Sequence, residues 1–209
     1  MKRLNIGCGS VQPEGWVNAD DRYYGQEYWV NPLGNQGVQP MGHDESLERV
    51  LPGEHFGPQF SFDPITRKLL AIGPYDYIVA NHLLSCFSHH ELIGKVLPNL
   101  RRMLKDGGVL RVLVPDAEKA ARAYLAGVAQ FFPLGDDLPE VSERFCTFLP
   151  WFGESKSIFD ASYLCGLGAK AGFSTQVQCA FGESWLLPNS EITSLDDRQE
   201  QSLIMEFRK

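Results

Sequence analysis

The chain has 209 residues, 44% of them hydrophobic and 22% charged, with a net charge of −7. That length suits one domain with its own core, and the acidic balance disfavours broad binding to a nucleic-acid backbone, which needs concentrated Lys and Arg. No apolar run reaches the roughly 18 residues of a membrane span, and five cysteines (Cys8, Cys86, Cys146, Cys165, Cys179) without Cys-x-x-Cys spacing read as reduced thiols of a cytoplasmic protein.

A charged pair leads straight into Leu4-Asn5-Ile6, so no signal peptide is expected. This first strand stops at Gly7-Cys8-Gly9, and a second short apolar run ends at Asp20, thirteen residues after Gly7. Glycines at 7 and 9 allow φ > 0 and close approach of a ligand. A carboxylate at the tip of the next parallel strand can accept both hydroxyls of a ribose, as in doubly wound folds that hold nucleosides. The third glycine of the nicotinamide fingerprint is absent from Gly7-Cys8-Gly9-Ser10-Val11-Gln12, and no Walker-type Gly-Lys-Ser/Thr follows. A plain turn between strands is the competing reading of the bare Gly-x-Gly. Ser10 to Trp16 is too short for a full helix and holds Pro13, so it should be a loop.

Residues 21–60 are punctuated throughout by Gly and Pro, and only Glu45 to Leu51 could form a helical turn. A stretch that long reads as a functional cap or lid. Tyr75 to Ala80 is a strand rich in β-branched and aromatic residues. His89 to Leu104 carries a helical stripe, with Pro98 predicting a kink or break, and Lys105-Asp106-Gly107-Gly108 ends it. Val109 to Val114 is an apolar strand interrupted only by Arg111, and Pro115-Asp116 stops it. Ala117 to Gln130 reads as a helix and residues 131–157 as an irregular segment rich in Phe, Pro and Trp. Asp160 to Ala171 is a helix with Asp160 as N-cap and Gly172 beyond its end. Phe173 to Phe181 and Leu203 to Phe207 alternate as strands of a terminal hairpin that closes the sheet edge. This alternation predicts an α/β protein: a doubly wound, mostly parallel sheet with helices on both faces, an antiparallel C-terminal strand and one domain over 1–209.

Two groups near the expected carboxyl rim can act as bases. Asp116 could serve an acceptor or cap the helix that follows it, and His82 could line a pocket, pack, or abstract a proton. His43 and Asp44 lie in the insert, and adjacent His89 and His90 cannot both face one ligand. No His, Cys or carboxylate cluster has metal-site spacing. Arg101, Arg102 and Lys105 read as a solvated helix face. Tyr23, Tyr24, Tyr28, Trp29, Phe131, Phe132, Trp151, Phe152 and Trp185 sit in or beside irregular segments, as core anchors or as a platform for a flat or sugar acceptor.

Five blocks in order resemble the class I S-adenosylmethionine-dependent methyltransferases, and within them a small bacterial and phage group similar to the methyltransferase type 11 family. They are Leu4 to Gly9 with Gly15-Trp16-Val17-Asn18-Ala19-Asp20; Asp63-Pro64 with Tyr75 to Leu84; Leu104 to Leu110; Ala171-Gly172-Phe173; and Leu195-Asp196-Asp197-Arg198 with Ser202 to Lys209. Residues 21–60 and 125–157 are unmatched. The resemblance implies a Rossmann-like fold and S-adenosylmethionine as cofactor. It implies that Gly7, Cys8 and Gly9 line its methionine and ribose, that Asp20 takes the ribose hydroxyls, and that Asp63, Pro64 and Ile65 lie at the adenine. Asn81 and His82 would flank the methionine end. It further implies transfer of a methyl group to a small molecule, sugar or glycan. The alternatives are a cofactor-binding module acting through its insert, or the same fold transferring another group. Ser85-Cys86-Phe87 replaces the group's frequent Glu-His-Leu, and Asp106 its usual proline, departures on the acceptor side and in packing.

Overall fold

Strands apolar on both faces belong in the middle of a parallel sheet, because helices or loops cover both sides of it. The computed structural model describes residues 1–8, 11–20, 29–31, 69–71, 73–196 and 198–209. Its strands are Arg3–Ile6 (β1), Val17–Asp20 (β2), Trp29–Asn31 (β3), Tyr75–Asn81 (β4), Leu104–Pro115 (β5), Thr175–Gln178 (β6) and Ser202–Arg208 (β7). They form one seven-stranded sheet in the order β3-β2-β1-β4-β5-β7-β6. Strands β2, β1, β4 and β5 run parallel; β3 is antiparallel to β2, and β7 is antiparallel to both β5 and β6. Chain order reverses between β1 and β4, which makes their carboxyl ends the switch point of the sheet. The fold is the expected Rossmann-like one.

The terminal strands pair as a hairpin, but β7 inserts between β5 and β6, so β6 is the edge and the last strand is interior. Strand β3 falls inside the punctuated stretch 21–60, where the sequence reading placed no strand. Trp29 and Val30 favour a pleated backbone, and their signal is short enough to be hidden by the flanking Gly and Pro. The rest of that stretch, with the proposed cap and the turn at Glu45 to Leu51, lies outside the described residues.

Ser88 opens the first long helix with a capping box: its Oγ accepts the Glu91 N–H, and Glu91 Oε2 accepts from Ser88 N at 2.8 Å. Those Ser88 hydrogen bonds hold the Glu91 carboxyl below its ordinary pKa. His89–Glu91, Leu92–Val96 and Leu97–Met103 run on as α, π and α turns of one helix, α1. Leu97 N–H bonds to Leu92 O, so the α pattern restarts there and Pro98 sits in a first turn, where its missing N–H is not needed. This is how the helix absorbs the break that Pro98 predicts.

Strand β5 starts at Leu104, earlier than the predicted Val109. Gly107 takes φ +76°, and a register shift between the Tyr75–Leu104 and Tyr77–Val109 pairs turns the Lys-Asp-Gly-Gly segment into a bulge. Helix α2 (Ala117–Leu125) is shorter than predicted, because Gly127 at φ +70° turns the chain into the 3-10 turn Ala129–Phe131. Within the stretch 131–157 lies a further helix, α3 (Val141–Phe148), opened by a Glu140–Glu143 capping box. Its apolar stripe is only Val141, Phe145 and Phe148, few enough to be masked by polar neighbours. Helix α4 (Ala161–Lys170) has the predicted cap, Asp160 Oδ1 accepting Tyr163 N–H at 2.7 Å, and ends at Gly172 with φ +84°. A short helix, α5 (Asn189–Ile192), precedes β7.

Pleating sends alternate side chains to opposite faces. Ile78, Ala80, Leu110, Val112 and Val114 pack under Leu92, Val96 and Leu100 of α1 and Leu164 and Leu167 of α4. Tyr77, Val79, Val109 and Leu113 face the other way, against Trp16, Leu187, Ile192 and Leu195. Described residues cover that second face with loops and the short α5. A third cluster, Phe132 and Phe148 on Ala120 and Ala123, joins α2 to α3.

Arg111 projects into the second face and is fully buried. Its Nε and Nη2 fork onto Asp196 at 2.8 and 2.6 Å, while Nη1 reaches Glu206 Oε1 at 2.9 Å and Glu183 O at 2.7 Å. Asp196 also accepts Gly182 N–H at 2.7 Å, and Glu206 accepts Trp185 N–H at 2.9 Å and the Tyr77 hydroxyl. Burial, and next the Glu206 charge, raise the Tyr77 phenol above its ordinary pKa; burial likewise pushes the Cys179 thiol up to about 11. Arg111→Met would strand two buried carboxylates, so it should lower unfolding free energy by about 3–5 kcal/mol. Equilibrium denaturation measures this, and a wild-type midpoint would mean the cluster is not holding the segment over the sheet.

Candidate functional site

At the tip of β1, Gly7 adopts φ +70°, and a Cβ there would come to 3.2 Å from the Leu83 Cβ. A larger residue would therefore be both strained and crowded. The β1 tip thus abuts the chain just beyond β4. Gly7 and Cys8 N–H groups both turn back to Ala19 O, at 2.8 and 3.3 Å, so neither is aimed outward at a ligand. Cys8 is buried, as a packing group.

The predicted loop between β1 and β2 is held by two asparagines that face each other across the strands. Asn5 Nδ2 donates to Val11 O at 2.8 Å, and Asn18 Nδ2 donates to Pro13 O at 3.2 Å and Trp16 O at 3.3 Å. The sequence reading gave neither residue a role; the signal was an amide inside each of two otherwise apolar strands. Asp20 ends β2, in register with Trp29 of β3. Its side chain, with Gly9, Asp63, Pro64, Ile65, His43 and Asp44, lies outside the described residues.

Asn81 ends β4 and donates through Nδ2 to Leu195 O at 3.0 Å. Its Oδ1 is buried with no hydrogen-bond partner among the described residues. Leaving such an acceptor unpaired costs about 1–3 kcal/mol. His82 follows at φ +50°; its N–H reaches Leu113 O at 2.8 Å, and Nε2 lies 3.3 Å from Ser202 Oγ. Asp116 is buried beyond β5, with Oδ1 accepting Glu118 N–H at 3.0 Å and Lys119 N–H at 3.1 Å. Its own N–H donates to Gln201 O at 2.8 Å. Of the two roles open to Asp116 in the sequence, these are the contacts of the helix cap. His89 and His90 are exposed at the start of α1, where His89 stacks on Tyr163 with Nδ1 at 2.7 Å from its hydroxyl. No group of three or more His, Cys, Asp or Glu is placed for a metal among the described residues.

A cavity of about 220 Å³ opens beyond β4 and β5, lined by His82, Ser85, Cys86, Pro115, Trp151, Glu154, Ser155 and Arg198. One wall is tied to the turn after β4: Lys156 and Ser157 N–H groups meet Ser85 O at 2.7 and 3.2 Å, and Ser157 Oγ donates to Phe87 O at 2.7 Å. The Arg198 guanidinium carbon lies 4.7 Å from the Trp151 ring centroid. Among described non-glycine residues only His82, Trp151, Phe152 and Arg198 have positive φ; three line this cavity and the fourth adjoins it. An exposed cation–π contact contributes about 0.5–1 kcal/mol, whereas a left-handed backbone costs roughly 1–2 kcal/mol per residue. The contact alone does not offset the strain at Trp151 and Arg198, a pattern typical of functional sites. Sequence reading missed Glu154, Ser155 and Arg198 as site residues. Arg198 stood in a matched block with no role attached.

No family profile and no curated protein matches this chain. Among solved structures it is similar to an S-adenosylmethionine-dependent methyltransferase from Archaeoglobus fulgidus, with a TM-score of 0.50 and 11% identity over 100% of this chain and 86% of that one. It also aligns to a candidate O-methyltransferase from Nostoc punctiforme PCC 73102 (TM-score 0.38, 14% identity, 66% of this chain, 32% of that one). A third likeness is to an O-methyltransferase family protein from Burkholderia thailandensis (TM-score 0.38, 13% identity, 69% and 32%). The alignments span about a third of the length of these last two proteins. At such identities the likeness concerns the fold, and the Archaeoglobus structure carries it.

The cap geometry predicts how Asp116 variants behave. Asp116→Ala should lose about 0.5–2 kcal/mol of stability, while Asp116→Asn, also a good N-cap, should melt close to wild type. Thermal melts of both variants measure this; equal melting of Asp116→Ala and wild type would remove the cap.

Proposed function

We propose that the protein is an S-adenosylmethionine-dependent methyltransferase that modifies a small acceptor at the carboxyl rim of its sheet. The observation that carries this reading is the β1–β4 switch point itself. There a left-handed Gly7 packs against the chain beyond β4, and Asn81 presents a buried oxygen without a partner among the described residues. The unpaired acceptor fits the ammonium of a methionine moiety, which has hydrogen bonds only to donate. On this reading Gly7, Cys8 and Gly9 line the methionine and ribose, Asp20 accepts the ribose hydroxyls, and Asp63, Pro64 and Ile65 lie at the adenine. Bound there, the cofactor supplies an electrophilic methyl group on a sulfonium.

The chain's own work is then chiefly positioning, since holding an acceptor at attack distance accounts for much of such a barrier. His82 lines the cavity and is the residue placed to take a proton if the acceptor is a hydroxyl. Asp116 serves the acceptor only if it can leave its cap. The small volume of the cavity favours a small molecule, or the end of a sugar, over a long polymer.

S-adenosylhomocysteine should bind the wild-type protein in calorimetry and raise its melting temperature. Asp20→Ala should weaken that binding by about 1.5–3 kcal/mol through loss of charge-assisted bonds. No heat and no thermal shift with wild type at saturating S-adenosylhomocysteine would overturn the proposal.

A further inference from the structure

We infer that the cavity beyond β4 and β5 takes a small carboxylic acid that also carries a hydroxyl or amino group, and that Arg198 selects the carboxylate. The inference rests on the reading of this cavity as the acceptor side of a methyltransferase, and it narrows the acceptor to one class.

Three features of the lining lead there. Arg198 is an exposed residue of the cavity lining that lies over the Trp151 ring, with no ion-pair partner among the described residues. Its backbone, and that of Trp151, are left-handed at φ +47° and +46°, so the chain holds this cation at the cavity against local preference. A guanidinium presents a fork of N–H donors that matches a carboxylate in two parallel bonds. Glu154 lines the same cavity and likewise has no ion-pair partner among the described residues. Its charge opposes a dianion such as a phosphate monoester and favours a ligand with a donor at the other end. Finally, about 220 Å³ is below the roughly 300–1,000 Å³ of pockets for drug-sized ligands. One carboxylate, one donor and a compact body satisfy all three features; a neutral sugar leaves Arg198 unused.

The test compares acids with their neutral counterparts. 4-Hydroxybenzoate, 2-hydroxybenzoate and 3-hydroxybutanoate, each beside its primary amide, are titrated into the full chain by ligand-observed NMR, with and without S-adenosylhomocysteine. The same preparations are titrated with S-adenosylhomocysteine in calorimetry. At least one acid should bind about tenfold or more tightly than its amide, the difference a charge-assisted fork makes. Arg198→Gln should erase that preference while leaving S-adenosylhomocysteine binding unchanged, and Arg198→Lys should keep only part of it. The acid–amide comparison on wild type needs no variant, so it stands even if a substitution unfolds the protein. Acids and amides binding alike, or none binding while S-adenosylhomocysteine does, overturns the inference and leaves the methyltransferase reading intact. An Arg198-dependent acid preference without S-adenosylhomocysteine binding supports the carboxylate site and overturns the methyltransferase reading instead.

Discussion

A guanidinium buried in the middle of a sheet must be neutralised in place, and the Arg111 cluster does this with groups from three other parts of the chain. Glu206 is its direct cross-strand neighbour on β7, Tyr77 comes from β4, and Asp196 and the 182–185 backbone come from the segment between β6 and β7. Replacing such a cluster with hydrocarbon can be neutral, whereas removing one partner is costly. The cluster therefore ties the irregular segment to the second face of the sheet. That placement brings Leu195 O to Asn81 and starts the chain toward Arg198.

The rim is built from chain that leaves regular structure under constraint. A short β1–β2 connection cannot cover the sheet with a helix, and two strand-borne asparagines satisfy its carbonyls instead. Beyond β4 the backbone turns through a left-handed His82, held by Leu113 O and tied through Ser85 to residues 156 and 157. Toward the opposite end of the strands the chain turns on glycine, at Gly107 in the β5 bulge and at Gly172 after α4, where positive φ carries no such strain.

On the proposed reading the two sides of the rim have different jobs. Around Asn81 the rim holds a buried acceptor without a partner among the described residues, suited to a donor. Around Arg198, Glu154 and His82 it offers one cation, one anion and one titratable ring within a small volume. Residues 81 and 82 stand between them at the end of one strand, so a single rigid element would set the spacing of both ligands. That arrangement suits a reaction that depends on distance more than on acid or base strength.

Local physics was legible in the residues. Largely apolar runs marked β4 and β5, the stripe from Leu92 to Leu104 marked α1, Asp160 and Gly172 marked the ends of α4, and Gly7 marked the turn at the rim. Each depends on neighbours a few positions away. Short signals were lost: three residues of β3 and the three-residue apolar stripe of α3 are below what periodicity can separate from loop. Long-range pairings were out of reach altogether. Arg111 stood out as a charge in an apolar strand, yet only the register of β5 on β7 made Glu206 its partner. The same holds for Asp116, whose choice between cap and acceptor depended on where Glu118 and Lys119 N–H groups point, and for Arg198, whose ring partner Trp151 lies far away in the sequence. The sequence by itself determined the strand and helix periods and the turn chemistry, because these are set by local backbone and side-chain preference. The tertiary structure alone decided which charges neutralise each other and which side chains share a cavity, because those depend on packing across the whole sheet.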